Sequence, residues 1–280
     1  MLSINKYIIN GSKKNKILVD VCYDRNSLKK DVVIFSHGFK GFKDWGPFNH
    51  MSETFAKAGY FFVKFNFSYN GTSLDNPVEF VDLESFGNNN FSIELDDLGL
   101  LIDWLNTDLE FRDEINIGKI NLLGHSRGGA ISILKANEDD RVSKVISWAS
   151  PSDFTNRIDD SKLDTWQKKG VTYIYNSRTQ QNMPMYYQFY ENCIANADRL
   201  NIEKAVANLK VPHLHIHGDA DPTVLIAEAN NIKKWNSAAE LHVIKGANHV
   251  FDGCHPFNSD VFPKDLQEAI DVTIKFLKDN

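Results

Sequence analysis

The sequence is poor in cysteine and contains no long apolar run. Its 280 residues include three cysteines, Cys22, Cys193 and Cys254, which are too few for a disulfide framework and are typical of a reducing compartment. No stretch approaches the roughly 18 consecutive apolar residues of a transmembrane helix. Residues 1–16 lack the apolar segment of a signal peptide. These absences predict a soluble protein of the cytoplasm.

The sequence also has no excess of basic residues. The chain carries 31 lysines and arginines against 37 aspartates and glutamates, a formal net charge of −6 at pH 7. A mildly acidic surface argues against nucleic-acid binding and against a polybasic membrane anchor. The chain does contain 42% hydrophobic and 12% aromatic residues, which is enough to bury a substantial core.

Apolar runs recur along the chain, and each is followed by turn residues and an amphipathic segment. The run 32–35, Val-Val-Ile-Phe, is typical of strands that are buried on both faces of a parallel sheet. The alternation predicts an α/β fold in which helices cover both faces of a mostly parallel sheet. The predicted strands are 16–23, 32–36, 60–67, 119–123, 144–149, 213–217 and 241–244, and the predicted helices are 48–58, 92–106, 129–137, 224–235 and 264–278.

The predicted helix over 92–106 is amphipathic. Its apolar residues, such as Leu95 and Leu98, fall near one side. This leaves the acidic residues Glu94, Asp96, Asp97 and Asp103 for the solvent. We expect the apolar side to pack against the predicted sheet.

Two regions interrupt the alternation of strands and helices. Residues 70–90 are rich in asparagine, serine, aspartate and glycine, which predicts a long loop. Residues 152–208 contain no clear buried strand and mix polar with aromatic residues, among them Trp166, over a length that is unusual for a plain loop. We interpret 152–208 as a small cap that is inserted into a core formed by 1–151 and 209–280.

A candidate nucleophile lies in Gly124-His125-Ser126-Arg127-Gly128, which matches the G-x-S-x-G pattern. The segment follows an apolar predicted strand and opens a predicted helix, which is the context that the pattern requires. A serine on so sharp a turn has strained backbone angles, and a helix N-terminus stabilises developing negative charge. The pattern therefore predicts Ser126 as nucleophile. The alternative is a glycine-rich turn with an incidental serine.

The loop after the predicted strand 32–36 is a candidate oxyanion-hole segment, because it contains His37-Gly38. Stabilising a tetrahedral oxyanion requires two backbone N–H groups. We predict that they are the amide of Arg127, just after the nucleophile, and that of Phe39 in this loop. The alternative is a simple strand-end turn with glycines at positive φ.

A candidate acid follows the predicted strand 213–217. Asp219 and Asp221 both lie just beyond its C-terminal end, the edge of the sheet at which α/β active sites assemble. We choose Asp221 as the acid and interpret Asp219 as structural, for example as the cap of a turn.

The general base should follow the acid, in the chain order Ser, Asp, His. Three histidines lie downstream of Asp221. His242 falls inside a predicted strand, and His255 lies too far on, beside Pro256. His249 occupies the loop after the last predicted strand, which is the required edge of the sheet. Order and position therefore predict His249 as the base.

Three alternating histidines, His213, His215 and His217, share one face of a predicted strand. They are candidate metal ligands, but adjacent positions on one strand face lie about 7 Å apart, which does not suit one ion on an unbent strand. We favour buried, hydrogen-bonded histidines and predict no metal site.

Together these segments resemble the α/β-hydrolase superfamily over nearly the whole chain, and look most like the bacterial serine esterases that include cinnamoyl and feruloyl esterases. The resemblance implies an α/β-hydrolase fold, with a mostly parallel central sheet flanked by helices and a small inserted cap. It also implies Asp221 as the acid, over Asp219, and the amide of Phe39 as the loop donor. The matching segments are 36–39, 124–129, 217–221, 246–251 and, within the insert, 176–180 and 183–184.

The predicted function is serine ester hydrolysis through an acyl-enzyme intermediate, on a small ester such as one of the cinnamoyl or feruloyl type. The predicted catalytic residues are Ser126, Asp221 and His249, the amides of Phe39 and Arg127 form the oxyanion hole, and no cofactor is needed. We expect a small-molecule ester as partner, no nucleic acid and no membrane, and leave a homodimer open. Rival interpretations on the same scaffold are a serine aminopeptidase, a thioesterase and a non-catalytic ligand-binding protein.

Overall fold

The computed structural model describes residues 1–26, 28–155 and 158–279. Asn156 and Arg157 of the predicted cap lie outside the described residues, as do Ser27 and Asn280 of the two predicted core segments. Within the described ranges, no helix combines the length and the apolar composition needed to cross a bilayer.

The described residues form ten β-strands, eight of which make one mixed sheet. The strands are β1 (Leu2–Asn10), β2 (Lys16–Asp24), β3 (Lys30–Ser36), β4 (Phe61–Asn66), β5 (Ile115–His125), β6 (Val142–Trp148), β7 (Val171–Asn176), β8 (Gln181–Tyr186), β9 (His213–Gly218) and β10 (Glu240–Ile244). The order in the large sheet is β1-β2-β4-β3-β5-β6-β9-β10. Strand β2 runs antiparallel to β1 and β4, and all other neighbours are parallel.

Helices connect the parallel strands. They are α1 (Phe48–Lys57), α2 (Leu83–Asn88), α3 (Phe91–Thr107), α4 (Arg127–Glu138), α5 (Leu163–Lys169), α6 (Gln188–Ala195), α7 (Ile202–Asn208), α8 (Ile226–Trp235) and α9 (Lys264–Asp279). All five helices predicted from the sequence are present, as α1, α3, α4, α8 and α9, with small differences at their ends. Short 3-10 turns lie at 12–14, 109–111 and 160–162.

The central strands are buried on both faces, as their continuous apolar runs predict. In β3, Val32 and Ile34 belong to an apolar cluster that includes residues of α3 and α4. The alternate residues Val33 and Phe35 belong to a second cluster that includes residues of α1 and α9. All four side chains are fully buried, and each contributes about 1.5–3 kcal/mol to the free energy of folding.

Strand β1 is absent from the sequence-based prediction. It lies at the edge of the sheet, with Ile4 and Ile8 more than half exposed. Tyr7 and Ile9 pack against the core. Because apolar residues lie on its open face as well as on its buried face, the run does not alternate cleanly and lacks the usual signal of a half-buried strand.

The predicted loop over 70–90 contains helix α2, so the prediction of an uninterrupted loop is wrong. The side chain of Asp82 accepts a hydrogen bond from the Ser85 amide at 2.9 Å, which caps the first turn of α2. A helix of one and a half turns has too short an apolar period to stand out in a polar segment.

The predicted insert contains a small antiparallel sheet of its own, formed by β7 and β8. Tyr173 and Tyr175 of β7 are 60% and 58% exposed, so one face of this hairpin is open. An open two-stranded hairpin has no continuous apolar run, which is why no strand is predicted there. The observed hairpin confirms a small insert beside the central sheet, while the boundaries 152–208 stay a prediction.

Candidate active site

Ser126 occupies a strained turn between β5 and α4. Its backbone angles are φ 56° and ψ −125°, and residues other than glycine rarely adopt this combination. A Cβ atom at Gly124 would lie 2.1 Å from the Gly128 carbonyl oxygen, and one at Gly128 would lie 2.2 Å from the Ser36 carbonyl oxygen. Both glycines are therefore required for the turn to pack against β3.

The structure brings the three predicted catalytic side chains together. His249 Nε2 lies 3.0 Å from Ser126 Oγ, and His249 Nδ1 lies 2.7 Å from Asp221 Oδ2. A carboxylate only accepts, so Nδ1 carries the hydrogen and Nε2 is left to accept the proton of the serine hydroxyl. This is the arrangement of a general base that is oriented by an acid.

The Asp221 carboxylate closes the turn that follows it in the chain and is held by the backbone of that turn. Its Oδ1 accepts the amide N–H groups of Thr223 and Val224 at 2.7 and 2.9 Å. Burial by itself raises the pKa of Asp221, but the bonds from His249 and from these two amides outweigh it, so the pKa lies below its usual value. Asp221 is therefore ionised at neutral pH and available to stabilise a cationic His249.

The loop that carries His249 follows β10 and is braced from two sides. The Asn248 side chain accepts the amides of Val250 and Asp252, both at 3.1 Å. His125, which precedes Ser126 in the chain, donates from Nε2 to the His249 carbonyl at 2.8 Å. Burial lowers the pKa of His125 to about 3, which keeps it neutral. Sequence reasoning gives no role to His125, because its partner lies 124 residues away.

The predicted oxyanion loop lies directly against Ser126. A Cβ atom at Gly38 would lie 3.1 Å from Ser126 Cβ and 3.3 Å from the His125 carbonyl oxygen, so a side chain at this position would force the loop or the turn to shift. His37 Nδ1 lies 2.9 Å from the Gly38 carbonyl oxygen, which braces the turn. Within the part of the chain that the structure describes, the amides of Phe39 and Arg127 donate to no other group, as an oxyanion hole requires.

The side chain of Arg127 links the two predicted oxyanion donors. Its guanidinium carbon lies 4.1 Å from the centre of the Phe39 ring, a cation–π contact. The guanidinium also donates to Glu94 Oε1 at 3.2 Å. Glu94 and Asp97 of α3 are both buried, so the prediction that they face solvent is wrong for these two, while Asp96 and Asp103 are exposed as predicted. The partners of the two buried carboxylates, Arg127 and the Ser12 and Ser68 amides, come from distant segments that a helical period does not reveal.

The remaining candidates have structural partners. Asp219 Oδ1 accepts the Gly246 amide at 2.5 Å, which braces the turn after β10. His242 bonds to Glu268 at 2.9 Å, and His255 Nδ1 accepts the Gly46 amide at 2.9 Å. Among the described residues, none of these three side chains is hydrogen-bonded to Ser126.

The histidines of β9 are buried and hydrogen-bonded, which confirms the interpretation favoured from the sequence. His213 and His215 both contact the Ser147 hydroxyl, at 2.9 and 2.7 Å, and His215 contacts His217 at 3.0 Å. Burial lowers the pKa of each of the three, so each is neutral at pH 7.

Residues 31–190, more than half of the chain, match the sequence model of the family described as the alpha/beta hydrolase fold. The chain belongs to this family. Its observed sheet, flanking helices and small two-stranded insert agree with that fold. Membership of the family supports a hydrolase. No curated protein matches the chain in sequence.

Solved structures share this fold at low sequence identity. The esterase domain of a Rhodothermus marinus protein is 18% identical, with a TM-score of 0.65 over 98% of this chain and 97% of that one. Est1E from Butyrivibrio proteoclasticus is 16% identical, with a TM-score of 0.68 over 97% of each chain, and a further structure of it holds ferulic acid. The alpha/beta hydrolase GrgF from Penicillium sp. sh18 is 15% identical, with a TM-score of 0.72 over 99% of this chain and 98% of that one.

Proposed function

We propose that the protein is a serine carboxylic-ester hydrolase that works through an acyl-enzyme intermediate. The observation that carries the proposal is the hydrogen-bonded series Asp221–His249–Ser126, with contacts of 2.7 and 3.0 Å. Ser126 stands on the strained turn at the N-terminus of α4, where the helix dipole favours negative charge. The series supplies a nucleophile, a base and an orienting acid in one place.

In the acylation step, Ser126 Oγ attacks the ester carbonyl carbon while its proton passes to His249 Nε2. The amides of Phe39 and Arg127 stabilise the resulting oxyanion. The bond from this carbon to the alcohol oxygen then breaks, and His249 gives its proton to the departing alcohol. Asp221 stabilises the cationic form of His249 throughout this step.

In the deacylation step, water takes the place of the alcohol. His249 Nε2 accepts a proton from water as the water oxygen attacks the acyl carbon, and the same two amides stabilise the second oxyanion. The bond from the acyl carbon to Ser126 Oγ breaks, and the proton returns to the serine. The products are a carboxylic acid and the free enzyme.

We propose an aromatic ester as substrate, and two observations support it. The loop of the proposed oxyanion hole carries the Phe39 ring, which packs on Phe86 with ring centres 5.5 Å apart. An aromatic surface therefore lies beside the proposed nucleophile. The related Est1E has been solved with ferulic acid bound. An aromatic acyl group would gain packing energy on such a surface.

We also propose that residues 152–208 act as a cap over this site. Phe189 of α6 lies 5.7 Å from the Arg127 guanidinium carbon, next to the nucleophile in the chain. The Gln181 side chain of β8 donates to the Phe80 carbonyl at 2.9 Å. These contacts join the insert to the loop between β4 and α3 and to the first turn of α4.

The test is hydrolysis of p-nitrophenyl esters from acetate to octanoate, together with methyl ferulate, by the wild type and by Ser126→Ala. We expect turnover by the wild type and a loss of about 10⁵-fold or more in kcat for the variant, because it has no nucleophile. Ser143→Ala, at the far end of β6, is the matched control and should keep wild-type kcat. Methyl acetate, assayed beside methyl ferulate, is the aliphatic reference, and faster cleavage of methyl ferulate would support the aromatic ester.

A folded wild type that turns over none of these esters would overturn the proposal. Aminoacyl anilides and acyl thioesters, assayed beside the esters, test the bond that is cleaved. Turnover confined to either of them would contradict ester hydrolysis while leaving the nucleophile in place. Stopped-flow detection of a burst of p-nitrophenol tests the acyl-enzyme intermediate separately.

A further inference from the structure

The three histidines of β9 form a buried chain that the proposed mechanism does not use. His213 Nε2 lies 2.9 Å from Ser147 Oγ, which lies 2.7 Å from His215 Nδ1. His215 Nε2 lies 3.0 Å from His217 Nδ1, and His217 Nε2 lies 2.7 Å from the Val224 carbonyl oxygen. The side chains of Ser147 and of the three histidines are at most 2% exposed.

The direction of every bond in this chain follows from its last member. The Val224 carbonyl only accepts, so His217 Nε2 carries a hydrogen and a neutral His217 accepts at Nδ1. His215 must then donate from Nε2 and accept at Nδ1 from the Ser147 hydroxyl. The Ser147 oxygen in turn accepts from His213 Nε2. All three histidines are therefore in the same tautomer, with the hydrogen on Nε2.

The donating end of the chain meets the turn of the proposed catalytic acid. The turn from Asp221 to Val224 is closed by the Asp221 carboxylate, which accepts the amides of Thr223 and Val224. His217 binds the Val224 carbonyl from the other side. His217 Nε2 also lies 3.6 Å from Asp221 Oδ2, the oxygen that contacts His249.

We propose that His217 is a positioning residue for the catalytic acid, and that Ser147 and His215 hold it in the tautomer which this role requires. The proposal rests on the proposed function, since it concerns the same site. With its hydrogen on Nε2, His217 attracts the Val224 carbonyl and presents a positive edge to Asp221. In the opposite tautomer, its Nε2 lone pair would face both of these oxygens and repel the turn.

One end of the histidine chain has a hydrogen-bonding atom without a partner, and this atom destabilises the fold. His213 Nδ1 is buried and has no hydrogen-bond partner among the described residues. A buried acceptor left without a donor is destabilising, because the hydrogen bond that it makes with water in the unfolded chain is not replaced. The fold carries this cost at the end of the chain far from Asp221, while every member nearer the acid is fully bonded.

The first experiment compares His217→Leu with His217→Gln. Leucine removes the donor, and we expect a fall in kcat of about tenfold or more with KM within about twofold, because a small displacement of Asp221 misorients His249. Glutamine keeps an N–H donor of similar reach and should recover most of the lost kcat. The thermal midpoint of each variant shows whether it is folded.

The second experiment breaks the chain one step earlier. Ser147→Ala removes the donor to His215 Nδ1, so we expect the His217 Nε2–H signal in long-range ¹⁵N–¹H spectra to shift or broaden, with a smaller fall in kcat. Ser132→Ala is the matched control, because Ser132 is also fully buried but its hydroxyl has no partner in the described ranges. This variant should leave both the spectrum and kcat unchanged.

In the wild type, the same spectra should place the hydrogen on Nε2 of His213, His215 and His217. A hydrogen on Nδ1 of His217 would overturn the proposal. A folded His217→Leu with wild-type kcat, or a Ser147→Ala that behaves like Ser132→Ala, would also overturn it. If instead the wild type hydrolyses nothing, the proposed function fails, and the tautomer spectra still test the chain itself.

Discussion

At the scale of single residues, Ser126 shows how a strained backbone serves a site. A side chain at φ 56° costs about 1–3 kcal/mol, and the surrounding sheet must supply that energy. The Ser126 amide donates to the Trp148 carbonyl of β6 at 2.8 Å, and the flanking glycines allow close contact with β3. The hydroxyl is thereby held within reach of His249 before any substrate arrives.

The assignment of Asp221, and not Asp219, as the catalytic acid can be tested by single substitutions. Asp221→Asn removes the charge that stabilises the cationic His249 and reverses the hydrogen bond at Nδ1 when the amide group faces it. We expect kcat to fall by about 10³–10⁴-fold with little change in KM. Steady-state kinetics on p-nitrophenyl butyrate measure this.

The matched control for that change is Asp219→Asn. Asp219 braces the turn after β10 through the Gly246 amide and does not contact His249, so kcat should stay within about twofold of the wild type. The assignment of the acid is wrong if Asp219→Asn is inactive and Asp221→Asn is active.

At the scale of elements, Arg127 connects α4 to the proposed oxyanion loop. Its guanidinium stacks on Phe39 and pairs with Glu94 of α3, so one side chain joins two helices and the loop. Arg127→Met keeps both backbone donors but releases the Phe39 ring. We expect kcat to fall about tenfold. The buried Glu94 keeps its hydrogen bond from the Asn89 side chain but loses its cationic partner, so we also expect the free energy of unfolding to fall by about 3–5 kcal/mol. Kinetics and urea denaturation measure the two effects.

Arg141→Met is the control for this prediction. Arg141 also pairs with carboxylates, those of Asp103 and Asp139, but on the exposed surface, where such pairs contribute little. Its kcat should match that of the wild type. Equal losses of kcat in the two variants would contradict a specific role for Arg127.

A second element-scale device lies under the same loop. Lys43 of the loop and Lys64 of β4 both donate to Asp20 Oδ2 of β2, at 2.7 and 2.8 Å, and all three are buried. Asp20→Ala leaves the two buried ammonium groups with Asp44 as their one remaining carboxylate partner among the described residues. We expect a loss of about 3–5 kcal/mol in the free energy of unfolding, measured with urea.

Asp24→Ala is the matched control, because Asp24 ends the same strand and pairs with the exposed N-terminus. It should cost less than about 1 kcal/mol. If both variants unfold at the same urea concentration, the buried cluster does not anchor the loop.

At the scale of the whole molecule, buried neutral histidines make stability depend on pH. Burial lowers the pKa of His37 to about 4, of His125 to about 3 and of His213 to about 4. Below about pH 6.5, the unfolded chain binds protons at these histidines and the folded protein does not. Stability is therefore full above about pH 6.5 and falls as the pH drops toward 4.

Each of these histidines contributes a slope of about 1.4 kcal/mol per pH unit near pH 5, so three contribute roughly 4 kcal/mol per unit. Urea denaturation at pH 7.5, 6 and 5 measures the slope. His213→Asn removes one titrating group and should lower the slope by about 1.4 kcal/mol per pH unit. Equal stability at pH 7.5 and 5 would contradict this account.

Local signals were sufficient to predict the layers of the fold and the sharp turn at Ser126. The run 32–35 reads as a doubly buried strand because each residue contacts one of two cores. The spacing of Gly124, Ser126 and Gly128 follows from contacts within one turn and its neighbouring strand. Such patterns are visible in sequence because the physical constraint acts on residues close together in the chain.

The same reason explains what sequence alone determined and what it left open. Chain order and strand ends singled out Ser126, Asp221 and His249, and the structure places them in hydrogen-bond contact. Only the tertiary structure decided the partners of Glu94 and the direction of the histidine chain on β9, because those contacts join segments far apart in the sequence. A buried polar group is specified by whichever distant atom satisfies it, and a local pattern carries no record of that atom.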